Sequence, residues 1–217
     1  MVGLLDPLEV NGITFKNRIV MPPMQTGRAT TKGAVTERLI NFYTRRSVSL
    51  GLLIIEHCYI STRGKLSFKQ MGIHDDELNE GLKKLAESIH KLDTPVVVQI
   101  SHAGAVANKR VIGEQPAGPS ATRLSRELTR DEIEALPEEF SLATERAIQA
   151  GFDGVELHGA HGFLLNQFFS PLFNKRKDEY GGCLKNRMRL PLMVVDNIQK
   201  ALDGKLLLYR LGADDLA

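Results

Sequence analysis

Five short, continuously apolar runs recur along the chain. They are rich in leucine or β-branched residues, and apolar and polar positions do not alternate within them. Runs of this kind are typical of strands that are buried on both faces of a parallel sheet. The predicted strands are residues 19–21, 52–56, 96–100, 154–158 and 206–210.

Segments with helical spacing lie between these runs. Thr36 is a predicted N-cap, and residues 129–132 (TRDE) form a capping box that predicts the start of a long helix. A last helix is predicted over residues 186–201. Apolar residues three and four apart predict a further helix that ends before Pro95: Leu78, Leu82, Leu85, Ile89 and Leu92. This alternation of strands and helices predicts a parallel α/β domain.

Two prolines and one long connection modify this prediction. Pro137 and Pro191 lie inside predicted helices, where a proline removes a hydrogen bond and clashes with the preceding turn. Each helix is therefore expected to kink or to begin later than its pattern indicates. Residues 102–128 are rich in glycine, proline, serine and alanine, and they predict a long loop over one mouth of the domain.

Composition excludes several classes of protein. A chain of 217 residues with 42% hydrophobic and 25% charged residues is expected to form one domain with a sizeable core. The net charge of +2 gives no reason to expect a nucleic-acid partner. No run is long enough to span a membrane, and no signal-peptide pattern opens the chain. Two cysteines, Cys58 and Cys183, are too few for a disulfide scaffold, which favours a reduced, cytoplasmic setting.

Polar residues cluster at the predicted carboxyl ends of the strands, where parallel barrels place their functional groups. The residues there are amides, imidazoles and one guanidinium, without the paired carboxylates that glycoside hydrolysis requires. An amide can donate and accept at the edge of a pyrimidine-like ring, and Arg210 can stabilise negative charge there. His158 and His161 can donate to one oxygen. The collection therefore suits a polar heterocyclic cofactor.

Longer blocks of sequence carry a family resemblance. They are KNRIV at 16–20, MQTG at 24–27, VQISHAG at 98–104, HGAHGF at 158–163, NQFFSP at 166–171, NKR at 174–176, DEYGG at 178–182 and NR at 186–187. In these blocks the chain resembles the N-terminal part of the Old Yellow Enzyme family of FMN-dependent NAD(P)H:flavin oxidoreductases. Within that family it is most similar to the branch that contains 2,4-dienoyl-CoA reductase.

The resemblance implies a TIM (β/α)8 barrel of the FMN-linked oxidoreductase type. It implies FMN as cofactor, with NADH or NADPH as hydride donor, and an activated alkene such as an enoate, enone or dienoyl thioester as substrate. His158 and His161 would hold and polarise the substrate carbonyl, and Arg176 would contact the substrate. The residues expected to contact the cofactor are Pro23, Met24, Gln25, His57, Gln99 and Arg210.

The chain departs from the family pattern in three respects. Phe163, an expected substrate contact, stands where most members have the tyrosine that protonates the substrate, and a phenyl ring cannot be a general acid. Ala105 stands where an arginine is frequent. Five of the eight barrel strands are present, so residues 1–217 are expected to be one incomplete FMN-binding barrel domain, truncated after about five strands. The phosphate site and the branch's iron–sulfur cysteines would lie in the missing part, so no cluster is expected in this chain.

Two alternatives remain open to the sequence. The chain could be a non-catalytic fragment or half-barrel that needs a partner chain, including a second copy, for the missing strands and phosphate site. It could also be a metal-dependent barrel enzyme that uses His158, His161 and His102. That third hypothesis lacks a nearby pair of carboxylate ligands, and no metal is expected. The expected partner is a small unsaturated carbonyl compound, with no nucleic acid and no membrane.

Overall fold

The computed structural model describes residues 2–213, and nine strands form three sheets within them. The strands are β1 (Leu8–Val10), β2 (Ile13–Phe15), β3 (Val20–Met21), β4 (Leu52–Tyr59), β5 (Val96–Ser101), β6 (Ala117–Gly118), β7 (Arg126–Glu127), β8 (Gly154–Gly159) and β9 (Leu206–Leu211). The main sheet is parallel throughout, in the order β3-β4-β5-β8-β9. The five predicted strands are therefore confirmed. The pairs β1–β2 and β6–β7 form two small separate sheets.

Helices connect the parallel strands. They are α1 (Glu37–Ser47), α2 (Asn79–His90), α3 (Lys109–Ile112), α4 (Arg130–Gln149), α5 (Leu164–Phe169), α6 (Leu184–Arg187) and α7 (Arg189–Ala201). Both predicted caps are confirmed: the Thr36 side chain accepts from the Leu39 N–H, and Thr129 and Glu132 form a reciprocal capping box. These bonds satisfy N–H groups at the start of a helix that have no partner within it.

The two prolines have different outcomes. Helix α4 continues through Pro137, whose ring is buried in the packed face of the helix. The last helix begins at Arg189 rather than at 186, since α6 ends at Arg187, which confirms for Pro191 the expectation of a later start. Pro191 is thus the third residue of α7, where the N–H group that proline lacks would have had no partner in the helix anyway.

The region from 102 to 128 is not the continuous loop that its composition predicts. It contains α3 and the small sheet of β6 and β7. Gly118 accepts from the Leu128 N–H at 2.9 Å, which ties the far end of the segment to β6. The strands are only two residues long, too short for a periodic sequence signal to identify them.

Apolar side chains fill both sides of the main sheet. The larger cluster lies between the strands and the helices, with Leu39, Leu82, Phe140 and Ile198 fully or nearly fully buried. A smaller cluster lies at the amino ends of the strands, where the β1–β2 hairpin contributes one aromatic ring; it comprises Phe15, Leu52, Ile54, Val97 and Leu206. Within residues 2–213, no helix is long and apolar enough to cross a membrane.

Candidate active site

At the opposite, carboxyl end of the sheet, residues of β8, β9 and the segment that follows β8 line a cleft of about 760 Å³. Strand β8 contributes Glu156, and the turn that follows β8 contributes His161. Strand β9 contributes Tyr209 and Arg210 to the same cleft. Because the strands are parallel and adjacent, residues far apart in sequence meet at one end of the sheet.

Strand β4 carries a register shift between Ile55 and Cys58 and runs on to Tyr59. Glu56 and His57 therefore lie within the strand, whereas the sequence placed them at its end. The buried Glu56 carboxylate accepts from the backbone N–H of Thr26 at 2.8 Å and from its hydroxyl at 2.6 Å. These two bonds fix the segment after β3 that carries the predicted cofactor contacts. Burial raises the pKa of Glu56, while the hydrogen bonds from Thr26 oppose that rise.

The segment after β3 leaves its own side chains accessible. Pro23 is half-buried, Met24 is 65% exposed, and Gln25 is exposed. An exposed methionine of this size is available to cover the face of a ligand. Gln25 lies against the end of β4, where its carbonyl oxygen is 3.4 Å from His57 Nε2.

Gln99 on β5 is buried, and its amide donates to the Glu156 carboxylate at 2.6 Å. Burial raises the pKa of Glu156, and the Gln99 bond and the nearby Arg210 oppose that rise. The NH₂ group of Gln99 is thus hydrogen-bonded to Glu156, and the carbonyl oxygen of Gln99 remains free to accept. Gln99, Glu156 and Arg210 thus bring an amide, a carboxylate and a guanidinium together from three adjacent strands.

Four aromatic rings form the centre of the site. His158 stacks on Phe163 with ring centroids 4.2 Å apart, and His57 meets Phe163 edge-on at 5.2 Å. His161 Nδ1 lies 3.4 Å from His158 Nε2. The Nδ1 atom of His158 is buried and has no hydrogen-bond partner among the described residues. Such an unpaired atom costs free energy unless a ligand or water satisfies it.

Burial keeps two of these imidazoles neutral. Burial, together with the smaller effects of the neighbouring His57, His161 and Arg210, lowers the pKa of His158 to about 3. Burial likewise lowers the pKa of His57 to about 4, with a smaller effect of His161. At neutral pH each therefore offers one N–H donor and no charge.

The turn after β8 is held by amides of helix α5. Asn166 Oδ1 accepts from the Gly162 N–H at 2.8 Å. Gln167 donates to the Gly162 carbonyl in the same turn, and it also accepts from the Ala105 N–H and donates to the Ala103 carbonyl, both at 3.0 Å, in the loop after β5. His161 itself has a positive φ of 58°, in the left-handed region that asparagine, aspartate and histidine tolerate better than most residues.

Arg176 is not brought into this cluster. Its guanidinium is 5% exposed and donates to the carbonyls of Pro119 and Leu128 at 3.0 and 2.8 Å. It also pairs with Asp178 at 2.6 Å, which lowers the pKa of that carboxyl. The guanidinium of Arg176 thus joins loops beside the site, and its contact with substrate stays a prediction.

Sequence analysis assigned no role to Glu156, Gln70, Asn166 and Gln167. Glu156 interrupts an apolar buried strand, and a carboxylate in such a run signals a specific partner. Gln70, by contrast, lies in a connecting segment and reaches His57 only through the fold. No local pattern identifies a contact of that kind.

The third hypothesis, a metal enzyme, finds no assembled ligand set. Within residues 2–213, no three histidine, cysteine or acidic side chains lie close enough together to hold a metal ion. His102 lines a different cleft, beside Arg63 and Leu136, and its Nδ1 accepts from the Gly104 N–H at 3.0 Å. Burial, with a smaller effect of Arg63, lowers the pKa of His102 to about 4.

The fold and the site together define a class of protein. Five parallel strands place amide, imidazole and guanidinium groups at their carboxyl ends, an arrangement of the α/β-barrel type with donors and acceptors for a planar heterocycle. The family model for the NADH:flavin oxidoreductase / NADH oxidase family matches residues 3–217. The chain belongs to this family, as its sequence blocks predict.

Relatives and solved structures agree with this assignment. The chain is 38% identical over 227 residues to an NADH:fumarate oxidoreductase of Klebsiella pneumoniae, covering 98% of this chain and 24% of that protein. It is 36% identical over 220 residues to an NADPH dehydrogenase of Geobacillus sp., covering 98% and 64%. The structure of the Old Yellow Enzyme homologue from Zymomonas mobilis superposes with a TM-score of 0.93 at 33% identity, covering 97% of this chain and 63% of the other.

The structural superposition and its coverage confirm the predicted fold class. The chain corresponds to a five-stranded part of the TIM barrel that the Old Yellow Enzyme homologue forms, and it spans less than two thirds of that structure. It likewise spans between 24% and 64% of the two relatives named above. The family is that of NADH:flavin oxidoreductases and NADH oxidases, and the chain corresponds to part of the barrel of such proteins.

Proposed function

We propose that this chain forms the flavin-binding half of an FMN-dependent oxidoreductase that passes hydride from NADH or NADPH to an activated alkene. The observation that carries the proposal is the convergence of Gln25, Gln99 and Arg210 with the His158–His161 pair at one end of five parallel strands. This donor set matches the edge of an isoalloxazine ring, which offers both carbonyl acceptors and an N–H donor.

The residues present fit such a group. Glu156 holds one end of the Gln99 amide, so the free carbonyl of Gln99 can accept from a ring N–H. Arg210 pairs in register with His158 across β9 and β8, and it can balance negative charge on the ring edge. The unpaired Nδ1 of the buried His158 is a further polar atom for which a ligand would provide a partner.

When bound, FMN supplies the hydride chemistry, and the protein's residues bind and orient. His158 and His161 would donate N–H groups to a substrate carbonyl oxygen, which favours electron withdrawal from the conjugated alkene. His158 would do so as a neutral donor, because its pKa is lowered to about 3. Phe163 packs on His158 and fixes the plane of its ring, and it supplies no proton.

The test is the visible absorbance spectrum of the purified chain before and after excess FMN is added and the free flavin is removed. Retained oxidised-flavin absorbance, bleached by NADH or NADPH and restored by an enone, is the expected result. Gln99→Ala should lower FMN affinity at least tenfold, since it removes a paired polar contact. Gln115→Ala, at an exposed position, is the matched control. A wild-type chain that folds and retains no flavin would contradict the proposal.

A second candidate function is that of a half-barrel completed by other strands, from a partner chain or a second copy. The observation that favours it lies at the two edges of the main sheet, where Val20 on β3 and Leu211 on β9 are 46% and 59% exposed. Among the described strands, none pairs with the outer side of either edge. Such edges are open to pairing with another chain.

Light scattering after size-exclusion chromatography separates the two candidates. An autonomous flavin-binding chain should elute as a 24.1 kDa monomer that carries FMN. A half-barrel should bind flavin only as a dimer or with added partner. Val20→Lys and Leu211→Lys, which place charge on the edges, should abolish that association.

A further inference from the structure

A chain of hydrogen bonds joins the exposed Gln25 to the loop that follows β4. It begins at the backbone N–H of Leu66, which donates to Gln70 Oε1 at 2.7 Å. A backbone N–H can only donate, so this bond identifies the oxygen of the Gln70 amide. The NH₂ group of Gln70 must therefore face the other way, toward His57.

The Gln70 NH₂ group determines which nitrogen of His57 carries the proton. Gln70 Nε2 lies 3.0 Å from His57 Nδ1, and it also donates to the His57 carbonyl at 3.3 Å. Because an amide NH₂ only donates, His57 Nδ1 must be the unprotonated acceptor. The neutral ring then holds its proton on Nε2. Ser101 Oγ lies 3.2 Å from the same Nδ1 and 3.3 Å from the Cys58 carbonyl oxygen, so its hydroxyl can donate to either acceptor when Nδ1 is unprotonated.

The protonated Nε2 in turn determines the orientation of Gln25. It lies 3.4 Å from Gln25 Oε1, to which it can only donate. The carbonyl of Gln25 is thus turned toward His57, and its NH₂ group donates to the Ser67 hydroxyl. Ser67 bonds one of the two N–H groups, and the other is available at the mouth of the site.

We propose that His57 and Gln70 are positioning residues that hold the Gln25 amide in one orientation, so that Gln25 presents an N–H donor to its ligand. The chemical class of that ligand is a ring with an unprotonated nitrogen or a carbonyl at its edge. Its identification as a flavin rests on the proposed function. The orientation of the amide does not, because it follows from contacts within the chain.

The burial of the network argues for a role beyond packing. Gln70 is fully buried and His57 is 8% exposed, yet their bonds lead to a side chain on the surface. Two apolar residues could fill the same space without the cost of desolvating the Gln70 amide and the His57 imidazole. The bonds that run from the Leu66 N–H through Gln70 and His57 instead fix the orientation of the exposed Gln25 amide.

The test is Gln70→Glu, which has the same shape and can only accept. One carboxylate oxygen still accepts from Leu66, and the other requires a proton on His57 Nδ1. The tautomer of His57 should therefore reverse, and the Gln25 amide should rotate to donate to Nε2. Nitrogen-15 NMR of the ligand-free chain in mildly alkaline buffer reads both changes, from the ring nitrogens and from the Gln25 side-chain amide. Gln115→Glu adds the same charge at an exposed position as the control.

Gln70→Met is the second variant, in case the buried carboxylate prevents folding. It removes the donor without adding charge, so both tautomers of His57 should become populated. In either variant the dissociation constant for FMN should rise roughly three- to tenfold, the effect of misdirecting one hydrogen bond.

Each outcome bears on the proposal. A proton on His57 Nδ1 in the wild-type chain would overturn it, as would a tautomer that both variants leave unchanged. A reversed tautomer with unaltered FMN affinity would refute the part that directs Gln25 toward the ligand. Absence of FMN binding in a wild-type chain with the expected tautomer would refute the proposed function, while the NMR signals would still decide the orientation of Gln25.

Discussion

The two ends of the main sheet use the same strands for different purposes. On β5, Val97 is fully buried in the apolar cluster beneath the hairpin, whereas Gln99, two residues further along, pairs with Glu156 at the other end. Side chains at this spacing point to the same face of a strand. Apolar packing fills the amino end, whereas hydrogen bonds orient the polar side chains around the cleft at the carboxyl end. On one strand, a residue of the apolar core thus lies only two positions from a residue of the candidate site.

The largest effect is expected from opening the amino end. Phe15→Ala should lower the free energy of unfolding by about 3–5 kcal/mol, because it removes the buried ring that the hairpin places against the strand ends. Urea denaturation followed by circular dichroism measures it. Phe68→Ala, at a ring that is 57% exposed, is the matched control and should change stability by less than about 0.5 kcal/mol. Equal losses in the two variants would mean that the hairpin does not close this end.

An exchange along β5 would sharpen the comparison directly. Val97→Ala should cost about 2 kcal/mol of stability and leave the dissociation constant for FMN unchanged, since the valine packs in the apolar cluster at the amino end. Gln99→Ala should weaken FMN binding with a smaller loss of stability, about 1 kcal/mol. Denaturation and flavin titration on both variants give the four values. If Val97→Ala weakens FMN binding as much as Gln99→Ala does, the two ends are not independent.

The smallest effect concerns pH and arises at the carboxyl end alone. The pKa of His158 is lowered from 6.5 to about 3 in the folded chain, so the unfolded chain binds more protons between these values. Stability should therefore fall as pH falls from 6.5, by about 1–2 kcal/mol at pH 5 for this one residue. Urea denaturation at a series of pH values measures the slope. His158→Gln should reduce the slope, and an unchanged slope would contradict the lowered pKa.

Much of the fold could be predicted from sequence because its signals are local. Each parallel strand is a continuous apolar run, and the caps at Thr36 and Thr129 act on residues of the same turn. The family blocks likewise indicated at which strand ends to look for a candidate site, whose roles stay predictions. The contacts that orient the site were not predictable. Glu56 reaches Thr26 from another strand, and Gln70 reaches His57 from a loop, so neither partner has a fixed spacing along the chain.

The error at the last helix has a related cause. Apolar residues continue through Met188 with helical spacing, yet the helix is interrupted there, between α6 and α7. Arg187 donates to the Phe169 carbonyl at 2.8 Å, and Arg189 donates to the Glu179 carbonyl at 2.8 Å. Tertiary contacts on both sides of the break thus outweigh local helical preference.

The positive φ of His161 restricts how this site can diverge during evolution. At a φ of 58°, β-branched and bulky residues are strained, whereas glycine, asparagine, aspartate and histidine are accepted. Of these four, only asparagine and histidine bring a neutral side-chain N–H group. The backbone conformation alone therefore limits the residues that can supply an N–H donor at this position to asparagine and histidine. A saturation library at this codon should yield folded variants that divide by chemistry, with asparagine as the substitute for histidine that retains a donor.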